Sequence, residues 1–138
     1  MRTLFGATAA GVEELMTVVD VEVRRVYEDD GGGAGARVLV DRLWPRGVGK
    51  DRLRLDGWPK ELAPSTALRR WYGHEPARFE EFARRYTAEL DGRRQAVDEL
   101  VCASGGRIVL LTATRDVEHS GARVLGDYIR RLAADPTS

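Results

Sequence analysis

Most of the residue types that announce a chemistry are scarce or missing. The single cysteine, Cys102, excludes an internal disulfide and a thiolate metal cluster. Histidine occurs only at 74 and 119. A zinc site would have to add Asp116 and Glu118 to this pair, and the four lack the close ligand spacing such sites show, so no metal is expected. No apolar run approaches the ~20 residues that span a bilayer, and no membrane association is expected. Net charge is absent as well: 22 basic residues balance 22 acidic ones, which leaves no overall field pulling the chain toward nucleic acid. Lysine is confined to Lys50 and Lys60, and every other basic residue is arginine, the usage a GC-rich genome favours. The glycine run at 31–33 precedes neither Gly-Lys-Ser/Thr nor a helix start, so no phosphate-binding loop and no cofactor follow from it.

What remains is ordinary globular composition. With 138 residues, 43% of them hydrophobic and 32% charged, the chain suits one domain with one core. Residues 1–17 read as a disordered N-terminal extension, or as a start codon placed too early with Met16 the true start. Their apolar stretch, Leu4–Ala10, is too weak for the centre of a signal peptide. Residues 18–138 are then expected to form a single α/β domain, in the cytoplasm.

Val19, Val21 and Val23 alternate with charged residues, the period of a half-buried strand. Glu28–Gly35 is expected to be a mobile loop. Arg37–Asp41 and Arg107–Ala113 are short apolar runs, the pattern of strands covered on both faces, and the second should be central. Between them lie helical patterns over Ala63–Gly73 (capped by Ser65), after Pro76 to Gly92, and over Arg93–Ser104. The last helix covers about Ser120–Ala134. In the third helix Cys102 is placed on the inner side beside Val101. A long helical crossover between two strands implies a parallel pair. The expected architecture is a mostly parallel sheet of three to four strands flanked by about four helices.

Parallel strands place their C-terminal ends together, and open α/β sheets bind ligands just beyond those ends. The segments there are Asp41–Lys50 and Thr112–His119. Arg42, Arg46, Lys50 and Arg115 could converge as an anion site, or Arg42 could be consumed in structural pairs with Asp41 or Asp116. His119 beside Asp116 has the makings of a general base oriented by a carboxylate, or of a histidine bonded locally at a helix start. His74, in the turn before Pro76, could approach the same face. Trp44 with Pro45 reads better as core packing than as a lid.

The strings VLVDRLWPRG (Val38–Gly47), LAPST (Leu62–Thr66), LRRWYGH (Leu68–His74) and RDVEH (Arg115–His119), with Lys50, resemble the YeaO-like branch of the domain-of-unknown-function 488 family. The resemblance runs from about Val23 to Leu132. It brings no activity with it. It does imply that Asp41, Arg42, Arg46, Lys50, Ser65, Arg69, His74, Arg115, Asp116 and His119 are recurrent polar positions. Two departures stand out: Ser120-Gly121 replaces the asparagine usual after the histidine, and Trp58-Pro59-Lys60 replaces a usual Trp-Leu-Lys. A longer branch resembles this one but has a cysteine near Thr112, which speaks against a thiol mechanism here.

The leading expectation is an anion-binding domain for a phosphate or nucleotide-like ligand. Arg42, Arg46, Lys50 and Arg115 hold the anion, and His119 with Asp116 supply any acid/base chemistry. Asp41, Trp44, Ser65, Arg69 and His74 support them. The alternatives are a nucleic-acid-binding or regulatory module without catalysis, and an ion-pair network without a ligand.

Overall fold

The structure is a computed structural model, and it describes residues 19–29, 31 and 35–134. The segment 1–17 and part of the glycine-rich loop, with the expectations made for them, lie outside these residues.

Three strands, β1 (Asp20–Arg25), β2 (Ala36–Leu39) and β3 (Arg107–Thr112), form one parallel sheet in the order β1-β3-β2. β3 is central, as its uninterrupted apolar run implies. Its alternating side chains explain that run. Ile108 and Leu110 enter one cluster with Val38, while Val109 and Leu111 enter a second with Leu39. Both faces of β3 are therefore dry.

The two faces are covered by different means. On the first lie the helices α1 (Thr66–Tyr72), α2 (Phe79–Asp91), α3 (Arg94–Ala103) and α4 (Gly121–Ala134). Their inward residues, among them Leu68, Phe82, Tyr86, Val97, Leu125 and Ile129, share the first cluster. The second face is covered by irregular chain: Val48 and Leu53 are buried there, with Trp44, Leu55 and Trp58 packed around them. The Trp44 and Trp58 rings meet edge-on at 5.4 Å, and the Trp44 indole N–H donates to the Val48 carbonyl at 2.7 Å. Core packing of Trp44 is thus observed. A bridge from Val38 to Gly57 covers the β2 edge.

Helix boundaries follow local chemistry. Ser65 caps α1, its hydroxyl accepting from the Leu68 N–H at 3.1 Å, and Gly73 ends it in the left-handed region. The helix therefore begins after Pro64 rather than at Ala63. Pro76 opens a 3-10 turn that leads into α2. One expectation is corrected: Cys102 is exposed. Val97 and Val101, four residues apart, set the buried stripe of α3, and the next residue is turned ~100° away from it.

Opposite the helices, Arg37 and Asp29 form a buried ion pair to which Arg24 also contributes, at 2.7 Å from Asp29. Burial alone would raise the Asp29 pKa. Hydrogen bonds from Arg37 and Arg24 outweigh it and hold the carboxyl at about 2. No helix among the described residues is long and apolar enough to cross a membrane.

Candidate functional site

The C-terminal ends of β2 and β3 are clasped by one carboxylate. Asp41 follows β2, and its Oδ1 accepts from the Thr112 hydroxyl at 2.8 Å while its Oδ2 accepts from the Ala113 N–H at 2.7 Å. Its own carbonyl accepts from the Trp58 indole at 2.7 Å. Burial pushes the Asp41 carboxyl above the usual range. These two hydrogen bonds and the charges of Arg69 and His74 act in the opposite direction. With both oxygens engaged, Asp41 is a fastener between two strand ends.

Beside this clasp opens a cavity of about 480 Å³, a volume typical of small-molecule sites. The loop after β2 contributes Arg42, Leu43 and Arg46, and α1 contributes Arg69 and Arg70. The remaining wall includes His74, His119 and the first residues of α4. Neither Arg42, Arg46, Arg69 nor Arg70 forms an ion pair with any described residue. The Asp41 or Asp116 partners considered for Arg42 are not used. Its observed bond runs from Nη2 to the Pro64 carbonyl at 3.5 Å, and its Nε is buried without a partner among the described residues.

The two histidines reach the cavity by different routes. Gly73 and His74 both have left-handed backbones, with φ of 56° and 58°. This turns the chain sharply out of α1. Glycine tolerates that conformation, whereas histidine is strained in it. His119 ends a 3-10 turn, Val117–His119, that leads into α4. Its Nδ1 lies 2.8 Å from Asp116 Oδ2, and its ring stands edge-on to Phe79 at 5.1 Å. Its carbonyl accepts from the Tyr72 hydroxyl at 2.6 Å. Ser120 then caps α4, accepting from the Arg123 N–H at 3.1 Å.

Not every expected residue joins them. Lys50 lies exposed in a turn and Arg115 is exposed, and neither lines the cavity. Asp116 touches it only through His119. Ser65 faces away, its N–H and hydroxyl both donating to Glu89, at 2.9 and 2.6 Å. Sequence reading passed over Arg70 and Tyr27. Arg70 was visible as the second arginine of LRRWYGH. Tyr27 carried no signal, because it joins the site through tertiary contact alone, its hydroxyl donating to the Arg46 carbonyl at 2.8 Å. Among the described residues, no group of three His, Cys, Asp or Glu side chains is placed to hold a metal ion.

Fold and site together define a small parallel α/β domain with an arginine-rich cavity at its strand ends. Residues 20–137 match the family model described as the inactive DUF488-N3 subclade, and the chain belongs to this DUF488, YeaO-like family. It is 49% identical over 110 residues to the uncharacterized protein Rv3073c of Mycobacterium tuberculosis, covering 79% of this chain and 92% of that one. It is 37% identical over 115 residues to the uncharacterized protein YeaO of Escherichia coli, covering 83% of this chain and all of YeaO. No solved structure matches the chain.

Proposed function

We propose that the strand-end cavity binds a small phosphorylated anion, of phosphate or nucleotide-like chemistry, without turning it over. One observation carries this reading: four arginines line a single cavity and are unpaired among the described residues. Elsewhere in the molecule arginines such as Arg24, Arg37, Arg85 and Arg123 are matched to carboxylates. Against the four stands the Asp41 carboxylate, already engaged on both oxygens. Guanidinium groups that form no ion pair among the described residues, set in a concave site, suit a planar or tetrahedral oxyanion that accepts two hydrogen bonds at once. The family model's description as inactive supports binding rather than catalysis.

Calorimetric titration with inorganic phosphate and a nucleoside monophosphate at low salt tests the proposal. Saturable binding is expected, weakened about tenfold in Arg69→Ala, the worth of one charge-assisted contact. Absence of binding by either ligand would overturn it. A second reading, acid/base catalysis, is favoured by the His119–Asp116 contact at 2.8 Å. It requires a bound ligand to be converted by the wild type and left intact by His119→Ala. Binding of long DNA or RNA whose log-affinity falls steeply with log salt, with no binding of the mononucleotide, would favour the nucleic-acid alternative.

A further inference from the structure

Arg42 belongs to two cavities. Besides the site above it lines a second one of about 410 Å³, formed with Ala63, Ser65, Glu89, Gly92 and Arg93. The wall between the two is the segment 63–66. Pro64 and Thr66 face the first cavity, while Ala63 and Ser65 face the second. Arg42 crosses this wall, held to the Pro64 carbonyl by one bond at the 3.5 Å limit. Its Nε is sealed from solvent and unbonded among the described residues. Arg93 likewise forms no ion pair with a described residue. Glu89, the one carboxylate among the described residues that line this second cavity, already accepts both donors of Ser65.

Two neighbouring cavities, each with an arginine unpaired among the described residues and joined by a guanidinium common to both, suit a ligand with two anionic groups. We infer that the ligand is linear and carries two phosphates, one beside Arg69 and Arg70 and the other beside Arg93, with Arg42 between them. The inference rests on the anion-binding reading and adds the ligand class to it. A single phosphate fills only the first cavity. A second phosphate on the same molecule gains from effective concentration once the first is seated.

The probes are a nucleoside 5′-monophosphate and a 5′-phosphorylated dinucleotide, titrated into the full chain at one fixed low salt concentration. The dinucleotide is expected to bind about tenfold more tightly or better. Arg93 is exposed at the start of α3, so Arg93→Ala should fold normally, checked by circular dichroism. It should bring the dinucleotide to within about twofold of the mononucleotide and leave the mononucleotide affinity unchanged. Equal affinities of the wild type for both probes, or a dinucleotide advantage that survives in both Arg93→Ala and Arg93→Glu, would overturn the inference while leaving the anion site standing. Failure of the wild type to bind either probe would remove both.

Discussion

Asp41 shows why a polar residue at a strand end is difficult to interpret from sequence alone. DRLWPRG marks it as unusual, yet only the fold shows that its two oxygens are spent on Thr112 and Ala113. Asp41→Ala leaves two donors without acceptors and should lower stability by about 2–3 kcal/mol, read by urea unfolding. Asp29 gives a pH signature. Its carboxyl sits at about 2 in the fold, below the unfolded value of about 3.9. The resulting stabilisation, about 2 kcal/mol, is therefore complete above pH ~4 and lost as the pH falls toward 2. Unfolding titrations between pH 6 and 2 should show this slope in the wild type and lose it in Asp29→Asn. His74 makes the opposite trade. Asparagine accepts a left-handed backbone more readily than histidine, so His74→Asn should keep or raise the melting temperature while weakening phosphate binding. That conformation was not legible in Gly73-His74-Glu75, because the turn depends on how α1 and α2 meet. Arg42 and Arg46 stood out in DRLWPRG, whereas Arg69, in LRRWYGH, was expected only to support them. Lys50 and Arg115 were grouped with the arginines because both belong to loops that leave the strand ends, but both are exposed and neither lines the cavity.

Among the elements, the strands and helices were readable because each buries a face with a clear period. RIVLLT is the most strand-like run in the chain, with the pattern of a doubly covered strand, and Phe82, Tyr86 and Leu90 mark one side of α2. The covering of the second sheet face was only partly readable: Leu53 and Leu55 alternate as in an extended piece, but Trp44 and Val48 belong to no sustained period. Two elements offer direct tests. Ser65 both caps α1 and satisfies Glu89, so Ser65→Ala should lower stability by about 1–2 kcal/mol in chemical denaturation. Gly126 brings α4 against the sheet, where an added Cβ would lie 3.3 Å from Val23 Cγ2. Gly126→Leu should therefore cost about 1–3 kcal/mol by overpacking, measured in the same way.

At the scale of the whole molecule, a formal charge of zero conceals an uneven partition. Carboxylates engage arginines around β1 and along the helices, while the strand-end cavity keeps several arginines free of ion pairs among the described residues. Binding of a phosphorylated ligand should accordingly weaken as salt rises from about 0.02 to 0.2 M, because the screening length falls through about 10 Å over that range. Thermal stability, which rests on the two apolar clusters, should change far less.

The strand order β1-β3-β2 carries a consequence for how the chain is made. Among the described strands, the one that touches both others is the last of the three to leave the ribosome, so neither edge strand has its sheet partner until residue 112 has emerged. The same arrival delivers Thr112 and Ala113 to the waiting Asp41. Closure of the sheet and formation of this clasp are thus one event, and a nascent chain stalled before β3 would possess neither.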